Sequence, residues 1–316
     1  MVEASERPQR YHRKGRTLGR KIAMNWQLYV LLVIPTSFLV LFNYLPMLGA
    51  QIAFRNFNPI DGIWHSPWVG FDQFNQFLNS PYFWPILKNT LRISLYSLGV
   101  GIPCAIILAI AINEVKHVRF KKLVQLATYA PYFISTVVMV GILQIILNPS
   151  TGLFGQFGHA LDIKNPYDML GSPGAFPSVY VWSGVWQETG YAAVIYLAAL
   201  SGVNPELYEA AKIDGATRIR KIYHIDLPSL IPTFTVLLIL GVGGVLSVGF
   251  EKVFLMQNML NISSSEIIST YVYKVGLIDT NYSFGVAVGL FNSVVGLILI
   301  LIVNTVARKI SNASLF

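Results

Sequence analysis

The apolar positions of this 316-residue chain gather into six long runs with polar stretches between them. The runs lie near residues 27–48, 89–112, 123–147, 178–201, 229–250 and 285–307. Each is long enough for a helix across about 30 Å of hydrocarbon, which takes about 20 mainly apolar residues. Pro35, Pro46, Pro103 and Pro131 fall inside these runs, as do Gly241, Gly243 and Gly244. In water such residues argue against a helix, but in a membrane bundle neighbouring helices satisfy the backbone groups they free. The pattern predicts an all-α, polytopic membrane protein with six transmembrane helices.

Composition excludes the soluble alternative. The chain is 54% hydrophobic and 12% charged, with a mean hydropathy of +0.55. A soluble domain carries about a quarter of its residues charged. The first run follows a basic stretch but has no A-x-A-like cleavage site after a short apolar core, so a retained span is expected rather than a signal peptide.

The basic residues then orient the spans. Arg7, Arg10, Arg13, Lys14, Arg16, Arg20 and Lys21 precede the first run, and Lys116, Arg119, Lys121 and Lys122 follow the second. Lys212, Arg218, Arg220 and Lys221 follow the fourth, and Arg308 and Lys309 follow the sixth. With six spans these segments alternate onto one face, and the excess of Lys and Arg marks that face as cytoplasmic. Both termini are therefore expected in the cytoplasm of a bacterial cell, with the protein in its plasma membrane. The expected organisation is a basic tail over 1–26, a first helix over 27–48, an external loop over 49–88, a five-helix core over 89–307 and a tail over 308–316. The net charge of +8 is a product of this sidedness. No basic soluble face with interleaved aromatics points to nucleic acid, although the tail can also meet anionic lipid headgroups.

The most specific pattern lies in the loop over 202–228, between the fourth and fifth runs. Glu209-Ala210-Ala211 is followed after three residues by Gly215, then after nine by Ile225, with Leu227 and Pro228 closing the stretch. Asn204 suits an N-cap, Pro205 the first helical position and Gly215 the left-handed residue past a C-terminus. These signals predict a helix of about ten residues, roughly 15 Å long. Ala210 and Ala211 leave one side of it flat enough for another protein to approach, with Glu209 beside that side and Asp214 closing the helix. A second helical turn is expected over Arg218–His224, with Pro228 opening the next span.

The spacing EAA-x3-G-x9-I-x-L-P resembles the EAA signature of permease subunits in bacterial ABC importers, here matched without a gap. The likeness extends over about residues 27–310. Pro46–Phe54, Pro67–Phe71, Asn89–Leu91, Asn113-Glu114, Tyr129–Ser135, Trp186–Gly190, Leu197–Leu200, Gly249–Glu251 and Thr270–Tyr273 resemble the LplB-like, polysaccharide-import branch of carbohydrate permeases. The resemblance implies a type I importer permease fold whose EAA loop docks on a separate ATPase through Glu209, Ala210, Ala211, Asp214, Gly215, Ile225, Leu227 and Pro228. It implies a second, similar permease, two ATPase subunits, an extracytoplasmic solute-binding protein and an oligosaccharide or polysaccharide fragment as cargo. ATP and Mg belong to the ATPase subunits: this chain has no G-x-x-x-x-G-K-[ST], and Gly15–Lys21 misses that spacing.

Ionisable groups at membrane depth are costly and usually face a cavity or a partner. Glu188 lies near the middle of the fourth run, with Trp182, Trp186, Gln187 and Tyr191 close in sequence. Two uses fit it equally. Aromatic rings with an amide and a carboxylate suit a saccharide path, or Glu188 hydrogen-bonds a neighbouring helix while the tryptophans pack between subunits. Gln144 and Asn292, deep in the third and sixth runs, are weaker path candidates that suit helix–helix hydrogen bonds. In the external loop, Phe71, Phe74 and Phe77 recur every three residues and suggest a short helix at headgroup depth.

Cys104 is the only cysteine and reads as a small packing residue, and the five histidines are scattered without a metal-ligand spacing. The alternatives are a permease for a non-sugar solute and a secondary transporter. The first is opposed by the likeness of the flanking loops, the second by the lack of a visible inverted repeat. An intramembrane enzyme would need paired catalytic groups at depth, and Glu188 is the sole candidate.

Overall fold

Five of the six apolar runs fold as one helix each, and the third is broken. The computed structural model describes residues 24–161, 167–247 and 249–311, with side chains in the last helix to Lys309. The basic tail over Arg7–Lys21 and the last five residues lie outside it. The chain divides into two compact units, Met1–Gln51 and Ile52–Phe316.

In the first unit, α1 spans Trp26–Leu39 with Pro35 inside it, and none of its residues is buried. A π-helical turn, Val40–Tyr44, follows. The apolar helical run Trp26–Phe54 is 29 residues long, enough to cross a membrane.

The second unit is a helical bundle; among its described residues the strand-like pairing is one isolated bridge between Arg55 and Trp68. Its elements are α2 (Asp72–Leu78), α3 (Phe83–Glu114), α4 (Val118–Tyr129), α5 (Thr136–Ile146), α6 (Leu153–Ala160), α7 (Phe176–Ser201), α8 (Pro205–Ile213), α9 (Arg218–Lys221), α10 (Leu227–Gly243), α11 (Phe250–Met256), α12 (Ile268–Tyr273) and α13 (Tyr282–Ser311). The stretches Phe83–Glu114, Arg218–Gly243 and Tyr282–Lys309 are long and apolar enough to span. The 26-residue α7 is long enough too, but its Trp, Gln, Glu and Tyr centre makes it less apolar.

Two sequence expectations need correction here. The run 123–147 is not a single helix: Val118–Phe133 and Thr136–Ile146 meet at a bend of 100°. Pro131 lacks an N–H and disfavours helix at the residue before it. Ser135 then starts α5 by accepting a hydrogen bond from the Val138 N–H. The fifth span is likewise displaced. It does not open at Pro228 but runs on from Arg218, and it stops at Gly243 rather than 250. Pro228 sits where the π-helical turn Ile222–Asp226 passes into α10.

The long pair α3 and α7 is the frame. Ala105 and Ala109 of α3 meet Ala193, Tyr196 and Leu200 of α7, with Leu230 of α10. At the other end of α3, Phe83 and Ile86 pack with Phe284 and Val288 of α13. Phe77 of α2 joins that cluster at 2% exposure, so the aromatic helix before α3 turns one ring into the core. Phe74 instead packs on Phe54, and Phe71 is exposed. Gly285 touches Gly276 backbone to backbone, so that close contact is made within the chain.

Gly190 is the tightest helix contact. A Cβ there would lie 1.9 Å from the Thr128 carbonyl oxygen of α4, and backbone cannot step aside cheaply. Overpacking of this kind costs about 1–3 kcal/mol. Gly190→Ala is therefore expected to lower the thermal midpoint of the detergent-purified protein. Gly289→Ala, with nothing within 4 Å of the new carbon, is expected to hold it or raise it slightly, since glycine inside a helix costs about 0.5–1 kcal/mol relative to alanine. Equal midpoints for the two variants would contradict the packing described.

Candidate functional site

The loop after α7 folds as its local signals require. The Asn204 side chain accepts from the Glu206 N–H at 3.0 Å, and Pro205 holds the first position of α8. At the other end Gly215 has φ +69°. The Ala216 N–H reaches the Ala211 carbonyl at 2.8 Å and the Gly215 N–H the Lys212 carbonyl at 3.2 Å. This paired bonding is the Schellman closure, which favours glycine because of the positive φ. Thr217, which the sequence reading did not single out, then caps α9 by accepting from the Arg220 N–H. Beyond α9 a π-helical turn, Ile222–Asp226, leads into α10 and places Ile225, Leu227 and Pro228 at its foot.

The structure separates the two alanines. Ala211 is half-buried and shares the inner side of α8 with Tyr208 one turn earlier, whereas Glu209, Ala210 and Ile213 face outward. Ile213 is 86% exposed and Ile219 79%. Both are large apolar side chains left uncovered among the described residues on an otherwise charged loop.

Residues of α3 and α7, with Leu237 of α10, line a half-open cavity of about 370 Å³. Glu188 and Thr189 of α7, Ser97 of α3 and Lys252 of α11 line it, with Tyr180 and Tyr196. Glu188 has no hydrogen bond or ion pair within the chain among the described residues. The Tyr196 hydroxyl is buried without a partner among the described residues. Lys252, 8% exposed, donates to the Tyr180 carbonyl at 3.1 Å, and its ammonium lies 4.8 Å from the Tyr180 ring centre. The cavity thus offers a carboxylate, a phenol and an ammonium whose hydrogen-bonding capacity is not used up, among mostly apolar walls. That is the usual make-up of a ligand site.

Of the expected path residues, Glu188 alone lines this cavity. Gln187, its neighbour, is buried, and its amide donates to the Ile134 carbonyl at 2.8 Å, where α4 and α5 break apart. Trp182 and Trp186 stand about half exposed on another face of α7, with the Trp182 indole N–H on the Tyr96 hydroxyl at 3.0 Å. Tyr191 stacks on Tyr132, ring centres 4.0 Å apart. Gln144 is exposed and reaches the Leu255 carbonyl only at 3.5 Å. Asn292 lines a second, 560 Å³ groove along α12 and α13, its Oδ1 buried without a partner. Lys252 and Tyr196 were missed in the sequence. A lone lysine beside Glu251 reads as loop charge, and a tyrosine in an apolar run reads as packing.

A broken apolar helix pair, a cavity carrying both signs of charge and a capped loop helix fit a transport protein. The comparisons give its class. Residues 101–312 match the family described as the binding-protein-dependent transport system inner membrane component. The chain is 41% identical to protein LplB of Bacillus subtilis over 92% of its length and 91% of that protein's. It is 38% identical to the polygalacturonan/rhamnogalacturonan transport system permease protein YteP of the same organism, over 96% of this chain and 94% of that one. It also matches a chain in the crystal structure of a bacterial ABC transporter involved in the import of the acidic polysaccharide alginate. That match has a TM-score of 0.86 at 38% identity and covers 94% of this chain and 100% of that one. The chain belongs to the family of binding-protein-dependent transport system inner membrane components: it is an ABC importer permease, a multi-pass membrane protein.

The side-chain placements on α7 are directly testable. In a Cys104→Ala background, which removes the single free thiol, Glu188→Cys is expected to react readily with a small water-soluble thiol reagent. Gln187→Cys, on the buried side, is expected to resist. Equal labelling of the two would mean that the cavity is closed to water or that α7 is rotated.

Proposed function

We propose that this chain forms half of the translocation path of an ATP-driven importer for an oligosaccharide or polysaccharide fragment. A second, similar permease supplies the other half. An extracytoplasmic solute-binding protein delivers the cargo, and two separate ATPase subunits bind ATP and Mg. The cargo class is supported by the polygalacturonan/rhamnogalacturonan permease. It is supported too by the alginate transporter, solved in complex with a periplasmic protein carrying an alginate pentasaccharide. That second structure aligns with a TM-score of 0.86 at 36% identity. Glu188, Tyr196 and Lys252 are the groups on this chain that would meet sugar hydroxyls in passing, and the cavity carries both signs of charge.

The observation that carries the coupling part is α8 itself. It is a short helix fixed by a cap at each end, displaying Glu209, Ala210 and Ile213 outward and connected to α10 through the turn at Gly215. We assign Glu209, Ala210, Ala211, Asp214 and Gly215 to ATPase docking, with Ile225, Leu227 and Pro228 anchoring the loop to the bundle. With Lys and Arg concentrated on this face, the loop and both termini lie on the cytoplasmic side.

Gly215→Pro cannot adopt the positive φ, since proline fixes φ near −65°, and it is expected to abolish uptake. Ala210→Glu places a charge on the outward side and is expected to do the same, both variants inserting normally. Uptake of labelled galacturonate oligomers and alginate fragments by intact cells, with membrane levels checked by immunoblot, measures this. Wild-type uptake in both variants, with the ATPase still co-purifying, would overturn the docking assignment.

A further inference from the structure

Asp226 has no part in the account so far. It occupies the unspecified position of the I-x-L-P close, and it is 0% exposed. Its Oδ1 accepts the Tyr208 phenolic hydrogen at 2.5 Å. Its Oδ2 is buried with no partner in the chain among the described residues. A carboxyl group held out of water on a single donor is costly, and a loop needing only solubility would leave it in solvent.

The two ends of this bond belong to different elements. Tyr208 projects from the inner side of α8, the proposed docking helix. Asp226 closes the π-helical turn from which α10 continues. Such turns are rare and often mark functional positions. One turn along α10, Leu230 packs with Ala105, Ala109 and Tyr196, and Leu237 lines the cavity. The covalent route from α8 to α10 runs through the turn at Gly215, whose φ is +69°. The Tyr208–Asp226 bond joins the two elements directly across that turn. It is also durable: burial, and then the hydrogen bond and charge of Asp226, hold the Tyr208 phenol above its ordinary value of 10.0, so it remains the donor.

We infer that the Tyr208–Asp226 hydrogen bond is the strut that carries movement of α8 into α10, making both side chains positioning residues for transport. The inference rests on the docking role of α8 proposed above. Without the strut, closure of the ATPase subunits would move α8 about Gly215 and leave the cavity unchanged.

The test uses the purified complex with its ATPase subunits and solute-binding protein, carrying Cys104→Ala and Glu188→Cys. The maleimide labelling rate at position 188 is compared between the nucleotide-free and the ATP–vanadate-trapped states, scored per trapped complex. Trapping is expected to change the rate by about tenfold, and Tyr208→Phe to reduce that response to below about twofold, in keeping with loss of one hydrogen bond to a charged group. Asp226→Asn, which keeps an oxygen acceptor, should retain most of the response, whereas Asp226→Ala should behave like Tyr208→Phe. A full response in Tyr208→Phe would overturn the strut. If Gly215→Pro and Ala210→Glu abolish the response while Tyr208→Phe keeps it, the strut alone fails. If none of these variants alters it, the docking role of α8 fails as well.

Discussion

Hydrocarbon offers no hydrogen-bond partner to a carbonyl released by a broken helix, and a spanning protein must supply one internally. This constraint organises the bundle. Where α4 gives way to α5, the Ile134 carbonyl is met by the Gln187 amide of α7. Past α10, the Val245 carbonyl is met by the Ser94 hydroxyl of α3. The Ser263 and Glu266 carbonyls are met by Asn89 of α3, at 2.9 and 3.1 Å, and the Ile268 N–H by the Thr90 hydroxyl at 3.0 Å. The two long helices thus act as polar rails along which the broken segments are pinned. Each such bond is worth only about 0.6–2 kcal/mol in a membrane, but losing one would strand a backbone group in an apolar medium.

Against a scaffold so well paired, the groups left unpaired stand out. Native structures satisfy most buried polar atoms, so the exceptions call for a role. The Tyr196 hydroxyl is one such atom among the described residues, and it lines one cavity with the exposed Glu188 carboxylate and the Lys252 ammonium. The free Asp226 oxygen lies at the foot of α10, the helix that separates that cavity from the docking loop. Cavity and loop are therefore two ends of one element, as ATP-driven transport requires.

The sequence made the loop legible because its determinants are local. Asn204, Pro205 and Gly215 act on their own backbone within a few residues, and the structure places each where its chemistry indicates. The spans were legible as long apolar runs, but their interruptions were not. Pro131 lies in a run as apolar after it as before it, and the Gln187 amide that meets the carbonyl freed at the bend lies more than fifty residues away. Glu188 is legible because a lone charge in an apolar run is rare. Its tryptophan neighbours are close to it only in sequence, since adjacent positions on a helix point about 100° apart, which sets Gln187 against the break between α4 and α5 and Trp186 on an exposed face. Lys252, Tyr196 and Asp226 gain their meaning only from contacts across the bundle, and no local pattern announces those.

The central claim is that this chain works only as part of an assembly that burns ATP elsewhere. Purification of the chain from native membranes in mild detergent, with mass-spectrometric identification of what comes with it, tests that most directly. The account predicts a second permease of the same family together with an ATPase subunit. A chain that repeatedly purifies alone, with no ATPase under any mild condition, would contradict it.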